Sequence, residues 1–167
     1  MPGTKRSSAK RASVKRRGAK PTSAKDGGAK RGGVKRADDE KAIRGLDAQW
    51  SEAAGKMDLE RVVGFYAPDG SVVWPDHPAA HGTAAIRSRW AELFKTTPGL
   101  YLKFEPERIV VATGHDLASD FGVVHFGFDA PNGPQRETGK YVVVWRREKG
   151  RWKVLYDCYN MNAPQKS

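Results

Sequence analysis

Seven lysines open this chain at a strict interval of five residues: Lys5, Lys10, Lys15, Lys20, Lys25, Lys30 and Lys35. A period of five fits no regular structure. On a helix each step turns the side chain by about 500°, so the charges spray around the axis. On a strand they alternate between faces. Each lysine follows a Gly or Ser and then an Ala, Val or Thr, and Arg6, Arg11, Arg16, Arg31 and Arg36 follow five of them, with Arg17 in addition. No apolar face forms in either geometry. From Met1 to Ala37 there are 13 Lys and Arg against one acid, Asp26, and all five Trp, five Tyr, six Phe and four His lie beyond. Residues 1–37 are therefore expected to be a disordered, self-repelling polycation. Asp38 to Asn162 is expected to be a folded domain, and 163–167 a short tail.

The tail suits phosphate. Lysines set among small residues can lie close to a nucleic-acid backbone and release its counterions. No aromatic residue interleaves them, so bases have nothing to stack on, and the contact would be non-specific. Lys5, Arg6, Lys10, Arg11, Lys15, Arg16, Arg17, Lys20, Lys25, Lys30, Arg31, Lys35 and Arg36 are the expected nucleic-acid-binding residues. The pattern resembles the Lys/Ala-rich tails of linker-histone-like and nucleoid proteins. A solubilising tail is the plainer alternative.

Several classes are excluded. A single cysteine, Cys158, leaves no intrachain disulfide and no Cys-based zinc site. No apolar run approaches the roughly 20 residues of a membrane helix, so no membrane partner is expected. The N-terminus lacks the apolar segment of a secretory signal. A cytoplasmic location, with nucleoid association through the tail, is the expectation.

In the domain, Asp38 can cap a helix carrying Ile43, Leu46, Trp50 and Met57 at helical spacing. Asp58 can cap a short second helix through Leu59, Val62, Val63 and Tyr66. Pro68-Asp69-Gly70 reads as a turn, Ser71–Trp74 as a strand, and Ile86, Trp90, Leu93 and Phe94 as one face of a third helix. Strands then follow at 100–104, 109–113, 118–128, 141–147 and 151–159, the last pair joined by a turn at Lys149-Gly150. This order predicts an α+β cone: three helices against a curved antiparallel sheet, with a pocket between the layers.

Phe65-Tyr66-Ala67-Pro68-Asp69-Gly70 and Gly82-Thr83-Ala84-Ala85-Ile86-Arg87 resemble the nuclear transport factor 2-like superfamily, which includes ketosteroid isomerase and SnoaL-like cyclases. Gly139-Lys140-Tyr141, Val144-Trp145-Arg146-Arg147, Gly150-Arg151-Trp152-Lys153 and Asp157-Cys158-Tyr159-Asn160 resemble its SnoaL-like, SgcJ/EcaC-like branch of unknown function. The resemblance spans about 38–162. It implies the cone fold and a homodimer paired through the convex sheet face. It does not imply steroid isomerisation. The positions matching that enzyme's tyrosine, base and second acid carry Trp50, Trp74 and, approximately, Val143, none of which can do the chemistry.

Asp157, in an apolar strand, is the first choice for a pocket acid; the alternative is a structural carboxylate paired with an arginine. Alternation places it with Leu155 and Tyr159, opposite Trp152 and Val154. His125 and Tyr141 complete the expected catalytic set, although a half-buried strand histidine is the plainer reading of His125. Trp50, Trp74, Asp76, His77, Trp90 and Asn160 are the expected ligand-pocket residues. Asp76, His77 and His81 do not make a convincing metal site, because Pro78 breaks any helix that would align them. No metal and no cofactor is implied. Cys158 reads as a small buried residue. The domain is thus expected to bind a small apolar ligand, as an isomerase- or cyclase-like enzyme if it is one. The competing reading is a non-catalytic dimer presenting its tails to DNA or RNA.

Overall fold

The computed structural model describes residues 27–162, with side chains from Lys35 onward. The repeat lysines and arginines up to Lys25 therefore lie outside the described residues, as does 163–167. Helix α1 runs Gly27–Gly55, α2 Leu59–Gly64 and α3 Gly82–Thr96. Strands are β1 Tyr66–Val73, β2 Ala80–His81, β3 Tyr101–Val111, β4 Leu117–Ala130, β5 Gly133–Glu148 and β6 Arg151–Met161. They form one sheet in the order β2-β1-β6-β5-β4-β3. Among the described residues no helix is long and apolar enough to cross a membrane.

Helix α1 starts at Gly27 rather than at Asp38, so the stretch 27–37 assigned to the disordered tail is helical and contains Lys30, Arg31, Lys35 and Arg36. Extending an existing helix is far easier than nucleating one, and the Ala, Lys and Arg here are good helix formers. The helix is also pinned at this end. Asp39, which is buried, accepts from Arg147 Nη1 at 3.0 Å and meets His115 Nδ1 at 2.6 Å. Further along, Arg44 Nη1 donates to the Pro106 carbonyl at 2.7 Å, and Ser51 Oγ accepts the Phe104 N–H at 3.0 Å. These contacts lay α1 over the edge strand β3.

The sheet is mixed, not wholly antiparallel, because β1 pairs parallel to β6. The predicted turn Pro68-Asp69-Gly70 is absorbed into β1 as a bulge: Tyr66 pairs with Val154 while Ser71 pairs with Tyr156. Tyr66 consequently belongs to β1, not to α2, which ends at Gly64. The two strands expected at 100–104 and 109–113 are one, irregular between Pro106 and Arg108. Proline is tolerated there because β3 is an edge strand and its missing N–H costs no ladder bond. Lys149 (φ 47°) and Gly150 (φ 82°) form the tight β5–β6 turn.

Aromatic rings fill the space under the helices. Trp50, 2 % exposed, is their hub. It meets Tyr66 at 5.4 Å, Phe104 at 5.0 Å, Trp145 at 6.1 Å and Trp90 at 6.5 Å between ring centroids. Gly122 makes room for one of the largest fillers. It stands opposite Tyr141 in the β4–β5 ladder, and a Cβ there would lie 2.6 Å from the Tyr141 ring and closer still to the Glu105 carbonyl. Since a backbone carbonyl cannot swing aside, Gly122→Ala is expected to cost about 1–3 kcal/mol in urea unfolding. An unchanged midpoint would show that β3 and β4 can part without penalty.

Candidate functional site

The cavity of interest lies between α1 and α3 above and β3–β6 below. Asp47, Trp50, Trp74, Leu93, Leu102, Phe104, Val124, Phe126, Tyr141, Val143, Asp157 and Tyr159 form its wall. It is tight, with about 30 Å³ open to the centre of a water molecule, which is room for a water or two. Leu93, Phe104, Phe126 and Tyr159 are half-buried, so the cavity comes nearest to the surface at these residues.

Asp157 reaches this wall through an irregularity in β6. Trp145 pairs with Val154 but Val144 pairs with Tyr156, so Leu155 is an extra residue. A bulge reverses the alternation beyond it. Trp152 and Val154 on one side of the bulge and Asp157 on the other therefore all face inward and are buried. The expected opposition of Asp157 to Trp152 and Val154 is thereby corrected. Asp157 Oδ2 accepts from the Tyr66 hydroxyl at 2.6 Å and from Trp74 Nε1 at 3.3 Å, and Trp90 Nε1 donates to the same Tyr66 oxygen at 2.9 Å. Burial outweighs these donors and pushes Asp157 up to about 6. Its partners are a phenol and an indole, not the arginine of the structural alternative.

Two further acids were not singled out by sequence reading. Asp47 and Asp120 are both fully buried. The Tyr141 hydroxyl stands between them, 3.4 Å from Asp47 Oδ2 and 3.5 Å from Asp120 Oδ1. It has one proton, so it can serve only one of them at a time. Asp47 Oδ1 and Asp120 Oδ2 have no partner among the described residues. Burial, reinforced by the neighbouring Asp120, pushes Asp47 up to about 8, and burial pushes Asp120 to about 6. Tyr141 is raised by burial and then by both carboxylates. A signal for both acids was available. Asp47 falls four residues after Ile43 and three before Trp50, on the apolar stripe of α1. Asp120 shares the parity of Ala118, Gly122 and Val124.

Across the sheet, Asp120, Val143 and Asp157 form one row of paired residues on β4, β5 and β6. The two carboxyls stand two strands apart, roughly 10 Å. Asp47 hangs over this row from α1.

A family model for the SnoaL-like domain matches residues 48–155, more than half of the chain. The chain belongs to the SnoaL-like domain family. Solved structures agree on the fold. A ketosteroid isomerase-like protein from Erwinia carotovora atroseptica superposes with a TM-score of 0.67 at 20 % identity, covering 74 % of this chain and 96 % of that one. An NTF2-like protein with a cystatin-like fold from Novosphingobium aromaticivorans gives 0.67 at 18 % identity, covering 85 % and 92 %. The hexachlorocyclohexane dehydrochlorinase LinA-type3 from Novosphingobium barchaimii gives 0.69 at 16 % identity, covering 78 % and 91 %. No curated protein sequence matches the chain significantly.

Within this SnoaL-like domain the expected site residues divide. Asp157, Tyr141, Trp50 and Trp74 line the cavity. Trp90 stands directly behind it, its ring 4.9 Å from that of Trp74. His125 does not join them. It lies on the outer face of β4, with Nε2 3.0 Å from Glu105 Oε2, because the inward parity of β4 is that of Asp120, Gly122 and Val124. Asn160 is exposed for the same reason, beside inward Tyr159. Asp76, at φ 60°, and His77 are exposed in the loop after β1, where His77 Nδ1 lies 2.9 Å from the Pro75 carbonyl. His81 lies 2.8 Å from Ser71 Oγ. Cys158 is exposed rather than buried.

The buried acids set a pH dependence. A carboxyl whose native pKa lies above its unfolded value of 3.8 keeps a proton that the unfolded chain releases. Stability is therefore expected to fall as pH rises from about 4, with Asp120 and Asp157 finishing by about 6 and Asp47 continuing to about 8. Urea midpoints should be higher at pH 5 than at pH 8, and Asp47→Asn should flatten the fall between pH 6 and 8. A variant as pH-sensitive as the parent would show that Asp47 ionises freely in the native state.

Proposed function

We propose that this chain binds a small, largely apolar molecule bearing one carbonyl or hydroxyl oxygen, and acts on it by acid–base chemistry of the isomerase or cyclase kind. The observation that carries this reading is the Asp47 carboxyl: buried, on the cavity wall, with one oxygen unpartnered among the described residues. Near pH 7 it holds its proton and can donate to a ligand oxygen. Asp157 has lost its proton by then and can accept one. Two titratable groups whose environments separate their ionisation, facing one cavity, make an acid and a base. Tyr141 would orient the Asp47 proton. The aromatic wall supports an apolar ligand, and entry of anything ring-sized requires Leu93 and Phe126 to rotate. Neither acid occupies a position matching ketosteroid isomerase; those are Trp50, Trp74 and Val143, although Asp157 bonds to Trp74 and pairs beside Val143. Shuttling in that enzyme's manner remains disfavoured. The motifs from Gly139 to Asn160 support the narrower SgcJ/EcaC-like placement.

The test is ligand-observed NMR with one- and two-ring cyclic enones and phenols against the full chain, Asp47→Asn and Asp47→Leu. Binding is expected to survive in part in Asn, which still donates, and to drop at least about tenfold in Leu, a loss of about 1.4 kcal/mol. Equal binding to all three folded proteins would overturn the role of Asp47.

A second reading, a dimer that presents its basic tails to DNA or RNA from the cytoplasm, is favoured by the outer face of the sheet. Val110, Phe121, Val142 and Tyr156 are between 43 % and 50 % exposed there. Ladder pairing sets Phe121 directly beside Val142, and covering such a patch is a common drive to association. Two tails on one dimer would also raise their effective concentration for nucleic acid. Phe121→Glu with Val142→Glu is expected to convert a dimer to a monomer in sedimentation velocity. A parent chain that sediments as a monomer would sink this reading.

A further inference from the structure

A second concavity lies outside the cone, between α1, α2 and the β5–β6 hairpin. It is larger than the inner cavity, about 910 Å³, and is open to solvent. Its walls carry five cations, Lys41, Arg61, Arg147, Arg151 and Lys153, against one carboxylate, Asp38. Arg147 is partly neutralised by Asp39 and Arg61 by Glu52. Lys41, Arg151 and Lys153 have no carboxylate partner among the described residues. Lys153 is held by the Gly64 carbonyl, which leaves its charge intact. Lys41 and Arg151 are exposed.

The geometry points to this groove as a binding site for the phosphate backbone of nucleic acid. The two walls come from distant parts of the chain, and each contributes cations. With one carboxylate against five cations on its walls, the groove carries a net positive charge that a polyanion would complement. Continuity with the tail selects the occupant. Helix α1 forms one wall through Lys41, and the same helix carries the exposed Lys35 and Arg36 of the pentapeptide repeat. A strand of phosphates running along α1 would meet the repeat and then the groove. The floor offers Arg147, stacked over the Trp152 ring at 5.5 Å, with Trp152 itself buried. It presents guanidinium groups rather than an open aromatic face, so contact with phosphate is favoured over base stacking. The inference shares the nucleic-acid reading of the tail and goes beyond it by placing part of the binding surface on the folded domain.

The experiment is fluorescence anisotropy with a mixed-sequence DNA duplex of about 20 base pairs, titrated at several salt concentrations. It compares the full chain, Lys41→Gln/Arg151→Gln, and a control of equal charge loss elsewhere, Lys95→Gln/Arg108→Gln. Lys95 and Arg108 are exposed and make no ion pair among the described residues. The groove variant is expected to bind roughly tenfold more weakly at moderate salt, with the slope of log K against log salt reduced by about 1 to 2, while the control matches the parent. If the groove variant binds like the parent, the groove proposal fails and the tail reading stands. If both variants weaken equally, the effect is net charge alone and the groove proposal fails. If the full chain does not bind DNA, both readings fail. Displacement of the duplex by polyglutamate at equal charge concentration would assign the groove to an acidic protein and overturn the proposal.

Discussion

One hydroxyl holds the two layers of this domain in register. The Tyr66 hydroxyl donates a hydrogen bond to Asp157 on β6 and accepts one from Trp90 on α3, while Tyr66 itself stands on β1. Three elements distant in sequence thus share a single buried polar group. Each hydrogen bond contributes a net of about 1 kcal/mol, but leaving a buried carboxylate without its donor costs more. The unusual parallel pairing of β1 with β6 is where this matters most. Tyr66 and Asp157 come from those two strands, and bulges in both bring their side chains together.

The inner cavity sets burial against electrostatics. Asp47, Asp120 and Asp157 are buried, and among the described residues no arginine or lysine is bonded to them. Their donors are the hydroxyls of Tyr66 and Tyr141 and the indole of Trp74. Neutral donors soften the penalty without abolishing it, so the carboxyls hold their protons to higher pH rather than ionise in a buried site. Evolution could fill the same volume with leucine at less cost. The aromatic shell, by excluding water, is what gives these acids their altered acidity. The exposed ion pairs of the domain, such as Arg87 with Glu60, sit in water and contribute little by comparison.

Local sequence rules carried much of the fold. Helical spacing located α1 and α3, Asp58 capped α2 as its side chain predicts, and Lys149-Gly150 made its turn. What escaped them were irregularities. The Leu155 bulge changes which face Asp157 occupies, and a simple alternation count carried through it gives the wrong neighbours. Pro68-Asp69-Gly70 has turn chemistry yet lies inside a strand, because pairing with β6 outweighs local preference. His125 was attractive as a titratable group in a strand, but parity alone could not say which face was concave. Asp47 and Asp120 were hidden by their setting among apolar residues.

The sequence by itself determined the contrast in composition between the basic repeat and the rest of the chain, the three helices and most of the strands, and the family signature. Those depend on composition, period and short motifs, which are local. Only the tertiary structure decided which acids share a cavity, which residues face outward, and that cations from α1, α2 and the β5–β6 hairpin meet in one groove. These depend on sheet curvature, on bulges that reverse alternation, and on contacts between residues as far apart as Asp47 and Tyr141. No local rule carries that information, because desolvation is a property of everything that surrounds a side chain.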